Sequence, residues 1–159
     1  MSPCTITPAT AAEVPVLLRL IQELAEFEQL GHEVEVSDRT LSEALFGERP
    51  VASALLARIG EVVVGYAVYY RTFSTFVGRP GLFLDDLYVR PSYRERGIGR
   101  ALLEAVAKVG MDGGGRLEWI TLRWNERALR FYRGLGARVM EDWALLRMNG
   151  AGVRGLIRS

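Results

Sequence analysis

Arg94-x-x-Gly97-x-Gly99 is the segment whose residue types and spacing point most directly to chemistry. The apolar run Leu87-Tyr88-Val89 leads into it, Pro91 breaks the run, and an amphipathic stretch follows from Ile98. Two glycines let the backbone close on a ligand. The first turn of a helix offers N–H groups without intrahelical partners at the positive end of the helix dipole. Such a turn is a site for an anion such as a pyrophosphate. A dinucleotide fingerprint reads Gly-x-Gly-x-x-Gly soon after a first strand, with an acid about twenty residues later. This chain has only Gly97-x-Gly99, and it follows several strands. A P-loop needs Gly-Lys-Ser/Thr, and Gly99 is followed by Arg100-Ala101, so that reading fails as well. The second constellation is Asp85-Asp86, two carboxylates inside an otherwise apolar run, where aspartate is disfavoured. Alternation sends one to each face of a strand.

The elements that must position these residues follow from pattern. Thr5–Thr7 suits a short first strand. Thr10-Ala11-Ala12-Glu13 is a capping box, and Leu17, Leu18, Ile21, Leu24 and Ala25 follow at helical spacing, which predicts a helix from Ala11 to about Leu30. Ser37 caps a shorter helix that ends near Gly47. Ser53–Ile59 and Val62–Tyr70 read as strands joined at Gly60-Glu61, and Leu82–Val89 as a third after the turn Gly78-Arg79-Pro80-Gly81. A helix over Gly97–Met111 stops at Asp112-Gly113-Gly114-Gly115. Trp119–Leu122 is a further strand, and Asn125 caps a helix that runs through Leu135, with Gly136 in the C′ position. Arg138–Met140 and Trp143–Met148 read as closing strands, and the stretch from about Gly150 as a loose tail. The order of elements predicts an α/β fold with a mixed, mainly antiparallel, twisted sheet flanked by helices, in a single domain over residues 1–159.

Bulk properties narrow the classes. A chain of 159 residues fits one domain with a well-filled core. The net charge of +1 argues against nucleic acid or an anionic membrane as the main partner. Cys4 is the only cysteine, which excludes an intramolecular disulfide and a thiolate metal cluster. No His/Cys/Asp cluster has metal spacing, so no metal is expected. Neither a signal pattern nor a membrane-length apolar run is visible, and the expected location is cytoplasmic. His32, the sole histidine, lies in a polar stretch and reads as solvated.

Together with Leu87-Tyr88-Val89-Arg90-Pro91 and the later Trp124-Asn125-x-x-Ala128-x-x-Phe131-Tyr132-x-x-x-Gly136-Ala137, the Arg94–Gly99 segment resembles the GNAT N-acetyltransferases. The resemblance runs from Ile6 to Met148 and implies a GNAT-like fold. Within that superfamily the chain is most similar to the diamine (spermidine/spermine) and thialysine Nε-acetyltransferases, on Leu20-Ile21-x-Glu23-Leu24-Ala25-x-Phe27-Glu28, Asp86-Leu87-Tyr88-Val89 and Trp124-Asn125-Glu126-Arg127-Ala128. It implies acetyl-CoA as cosubstrate, its pyrophosphate held by backbone N–H groups of Arg96, Gly97, Ile98, Gly99 and Arg100. Arg94 and its neighbours can add charge-assisted contacts. The pantetheine arm would lie along the preceding strand at Leu87, Tyr88 and Val89, with Asn125 a further cofactor contact.

Acetyl transfer from a thioester to an amine needs a neutral nucleophile, yet an alkylamine with a pKa near 10.4 is neutral in about one molecule per two thousand at pH 7. A base or a proton-accepting water chain is therefore required. In the resembled family the position of Asp85 is usually glutamate, which binds the amine and helps remove its proton. Asp85 is one methylene shorter, which favours a route through water. Tyr132 stands where the family places the proton donor to the departing sulfur, and even a hydrogen bond to the developing thiolate helps. Phe27-Glu28 and Glu118-Trp119-Ile120 match substrate-contacting segments. One departure bears on the acceptor: Ser74 replaces the aspartate of the polyamine enzymes, shifting weight from spermidine or spermine toward a lysine-like or thialysine-like amine. The resemblance also implies a homodimer. The alternatives are a polyamine acetyltransferase, a protein N-terminal or lysine acetyltransferase, and a non-catalytic acyl-CoA sensor.

Overall fold

The computed structural model describes residues 3–110 and 114–158. They fall into two compact units, one ending at Leu122 and one beginning at Arg123. In the first unit, β1 (Cys4–Pro8), β2 (Ser53–Ile59), β3 (Val62–Ser74), β4 (Arg79–Val89) and β5 (Leu117–Trp119) form one open sheet in that order. Successive strands are antiparallel except β4 and β5, which are parallel and therefore need a crossover. Helix α3 (Ile98–Gly110) supplies it. The mixed, mainly antiparallel sheet flanked by helices is thus present as the pattern predicted.

Both faces of β2 and β3 are buried. On one face, Val14, Leu17 and Leu20 of α1 (Val14–Phe27) and Leu41 and Leu45 of α2 (Asp38–Phe46) pack on Ala54, Leu56, Val63, Tyr66, Val68 and Tyr88. Helix α3 turns Ile98, Leu102, Leu103 and Val106 inward and packs beside β1 to β4. Completely burying one such aliphatic side chain contributes about 1.5–3 kcal/mol, which is why these elements hold their neighbours in place.

Several boundaries differ from the pattern. The first helix opens as a 3-10 turn over Ala11–Glu13, because Pro15 has no N–H to bond the Ala11 carbonyl. It stops at Phe27, three residues short of Leu30. Gln29 N–H bonds Glu26 O (3.0 Å) and Leu30 N–H bonds Ala25 O (2.8 Å), a Schellman turn in which Gln29 takes φ 61°. Strand β4 starts at Arg79, not Leu82, with Pro80 opposite Phe73. At Pro80 the side away from β3 needs no donor, since β5 pairs with β4 only from Leu82. Strand β5 starts two residues earlier than predicted and ends three earlier, at Trp119. Of the segment read as ending α3, Met111 to Gly113 lie outside the described residues.

In the second unit, α4 (Glu126–Gly134) is capped by Asn125, whose Oδ1 accepts from Ala128 N–H at 3.1 Å. It ends in a Schellman turn with Gly136 at φ 93°. Arg138–Met140 and Trp143–Met148 are not strands: a turn at Glu141-Asp142 separates them, and no ladder partner pairs with them among the described residues. Strand-like composition without a partner does not make a strand. The stretch read as a loose tail is helix α5 (Gly150–Arg158), whose N-terminus is capped by Asn149: its Oδ1 accepts from Gly152 N–H at 2.9 Å. Asn149 was the available signal, obscured by three nearby glycines.

Candidate active site

The Arg94–Gly99 segment leaves β4 through a 3-10 turn at Pro91–Tyr93. Glu95 and Gly97 both take positive φ, 64° and 75°. At Gly97 a Cβ would be strained by that φ, and it would occupy otherwise open space on the outside of the turn. The first α-helical bond runs from Ala101 N–H to Gly97 O (2.9 Å), so the N–H groups of Ile98, Gly99 and Arg100 precede it and point out of the helix end. Buried Ile98 anchors this end in the core. The arginine side chains are engaged within the protein. Arg94 Nε donates to Val89 O at 2.7 Å, Arg96 Nη2 to Ser92 O at 3.0 Å, and Arg100 Nε to Glu104 Oε1 at 2.7 Å. The turn therefore offers backbone donors, and its arginines brace it.

Arg90 fixes where the turn begins. Its guanidinium grips the Glu23 carboxylate of α1 (Nη2–Oε1 2.7 Å, Nε–Oε2 3.0 Å) and donates to Val63 O of β3 at 3.0 Å. Tyr88 Oη donates to the same carboxylate at 3.3 Å. Hydrogen bonding from Arg90 holds Glu23 below the usual carboxylate range, against the opposing effect of burial. From sequence Glu23 figures within the motif that carries the resemblance; in the fold it ties α1 to β4.

The acidic pair sits on a β-bulge. Register steps from Val68↔Asp86 to Tyr69↔Leu84, which leaves Asp85 as an extra residue opposite none. Asp85 is exposed and Asp86 turns toward buried Tyr66, whose Oη donates to Asp86 Oδ2 at 3.0 Å. Burial and the neighbouring Asp85 charge push Asp86 up to about 6; the Tyr66 hydrogen bond opposes this and Glu28 adds to it. Partial burial also raises Glu28, and the protein packed around the Asp85 carboxyl raises it too, although the residue as a whole is exposed. Glu28 lies at the C-terminal end of α1, where the Schellman turn fixes it. The fold thus gathers Glu28, Asp85 and Asp86, fifty-odd residues apart in sequence, around Tyr66. Composition marked Asp85 and Asp86 as a pair and the resemblance gave a role to Asp85 alone; the buried partner of Tyr66 is Asp86, and two adjacent acids within an apolar strand were the visible sign of the bulge.

The remaining candidates are placed as follows. β5 pairs with β4 only as far as Leu84, so the main chain at Leu87–Val89 has β3 on one side and no strand on the other among the described residues. Glu118 lies opposite Phe83 and Trp119 opposite Leu84, with Ile120 exposed just beyond the strand. Ser74 Oγ accepts from Val77 N–H at 3.2 Å and so caps the β3–β4 turn. His32 is exposed beside Glu33. In the second unit Tyr132 lies on α4, its ring 5.1 Å from that of Phe131 and tilted by 58°.

The sequence profile of the acetyltransferase (GNAT) family matches residues 17–137. A thialysine N-epsilon-acetyltransferase of Bos taurus is 41% identical over 152 residues, covering 88% of this chain and 89% of its own. Its counterpart in Mus musculus is 37% identical, with 98% of both chains covered. An L-ornithine N5-acetyltransferase of Arabidopsis thaliana is 27% identical over 93% of this chain and 85% of its own. Among solved structures, an integron cassette protein from the mobile metagenome of V. cholerae superposes with a TM-score of 0.81 at 26% identity, covering 100% of this chain and 99% of the other. A strand-to-helix turn with leading backbone donors, an acidic bulge on the strand that enters it and these matches lead to one conclusion: the chain belongs to the acetyltransferase (GNAT) family.

Proposed function

We propose that the protein moves the acetyl group of acetyl-CoA to a primary amine of a small cationic substrate, lysine-like or thialysine-like, by direct attack in a ternary complex. The observation that carries this reading is the gathering of Glu28, at the end of α1, with Asp85 and Asp86, on the strand that leads into the glycine turn. Carboxylates there draw in an ammonium, and backbone N–H groups at Ile98–Arg100 receive a pyrophosphate. The free main-chain edge at Leu87–Val89 suits an extended pantetheine arm, with the Val89 carbonyl already taken by Arg94.

Exposed Asp85 meets the ammonium. Asp86 receives the proton directly or through water: at about 6 its carboxyl lies closer to an alkylammonium near 10.4 than an ordinary aspartate does. The amine nitrogen then attacks the thioester carbon; the N–C bond forms, the C–S bond breaks, the sulfur leaves with its electron pair, and the nitrogen gives up its second proton to water. Tyr132 Oη hydrogen-bonds or protonates that sulfur. Asn125 acts both as helix cap and cofactor contact, and Phe27, Glu118, Trp119 and Ile120 line the acceptor side.

Use of Ser74 as a turn cap, where polyamine enzymes carry an acid, supports an acceptor with one reacting ammonium over spermidine or spermine. The names of the thialysine and ornithine enzymes lean the same way. Exposed Trp143, Leu146, Leu156 and Ile157 support a homodimer, and we take its location to be the cytoplasm. Thiol release from acetyl-CoA, measured with thialysine, lysine, ornithine, spermidine and peptides, tests the reading. Turnover of the amino acids ahead of spermidine is expected; tight CoA binding with no amine acetylated would sink the enzymatic reading in favour of a sensor.

A further inference from the structure

The resemblance assigns Phe27 to the acceptor and Arg94 to the donor, yet their side chains meet. The Arg94 guanidinium carbon lies 5.0 Å from the centroid of the Phe27 ring and 5.6 Å from that of Tyr88. Its Nε bonds the Val89 carbonyl. Arg96 and Arg100 tie to residues four positions away, Ser92 and Glu104, whereas Arg94 links the turn to a different element, the end of α1. The turn needs such a link, because Glu95 directly after Arg94 holds a left-handed φ that is unfavourable for a residue other than glycine.

We propose that Phe27 is a positioning residue for the acetyl-CoA turn: its ring holds Arg94, and Arg94 holds the backbone in the shape that presents the Ile98–Arg100 N–H groups. The proposal rests on the acetyl-CoA reading. Glu28, the next residue, raises Asp86 through its charge. Adjacent residues at the end of α1 thus serve the two halves of the site, and the Schellman bonds from Gln29 and Leu30 fix them together.

Calorimetric titration of CoA into purified protein tests this without any acceptor. Phe27→Leu should raise the CoA Kd about three- to tenfold, the range of a partly exposed cation–π contact, and Phe27→Tyr should restore it. In an Arg94→Met background, which lacks both the cation and the Nε donor, Phe27→Leu should add nothing. Phe27 is 40% exposed, so its truncation spares the core; Phe27→Met is the second variant, and circular dichroism and melting verify each fold. Wild-type CoA affinity in folded Phe27→Leu and Phe27→Met overturns the proposal alone. An equal Phe27→Leu effect in both backgrounds does so too. A wild-type protein that binds no CoA removes the acetyl-CoA reading and the proposal together.

Discussion

Tyr66 Oη donates a 3.0 Å hydrogen bond to Asp86 Oδ2, holding a carboxyl that burial and the charges of Asp85 and Glu28 push up to about 6. The phenol is itself raised well above its ordinary value by burial and by that carboxylate, so it stays protonated and keeps donating.

With acetyl-CoA saturating, kcat/KM for the amine should rise with pH through an acid limb near 6, as Asp86 ionises in the amine-free enzyme. Asp86→Asn should remove that limb and lower kcat about 100-fold or more. An unchanged limb in the variant would assign it to another group.

The same carboxyl shapes stability. Its folded value lies above the 3.8 of an ordinary aspartate, so the unfolded chain ionises first as pH rises. Stability through this group is therefore full below about pH 4 and falls between 4 and 6, with a constant penalty above. Asp86→Asn should gain on the order of 1–3 kcal/mol at pH 7 and nothing at pH 3.5, read from urea unfolding at both.

Glu23 runs the opposite way. Arg90 lowers its folded value, so the pair supports stability above the unfolded carboxyl near 4.5 and loses that support as pH falls through the lower folded value. The pair is about a third exposed, so Glu23→Gln should cost about 1 kcal/mol at pH 7, less at high salt. A shift in CoA affinity should accompany it, since Arg90 sets the start of the turn.

Gln29 and Glu95 occupy left-handed backbone without being glycine. Gln29→Gly should stabilise the protein by about 0.5–1 kcal/mol, visible as a rise in Tm. At the equivalent position of α4 the chain already has Gly136.

Tyr132→Phe should lower kcat about 100-fold while the CoA Kd stays unchanged. An unaltered rate would remove Tyr132 from the chemistry.

Local chemistry made much of this protein legible in its sequence. Capping residues Ser37 and Asn125, the hairpin at Gly60-Glu61 and the apolar spacing of α1 and α3 act within a few residues, and each lies where its pattern put it. The glycine turn is equally local, since φ at Gly97 and the leading N–H groups of α3 belong to one short segment. Long-range placement belonged to the tertiary structure. Strand alternation could not reveal the bulge that frees Asp85, because register depends on the partner strand β3. Nor could charge counting tell Glu23, clamped by Arg90, from Glu28, which faces Asp86, although both lie on one helix. Packing decides which carboxylates lose water and which find a cation, and so it is the fold that sets the ionisation of the acidic cluster.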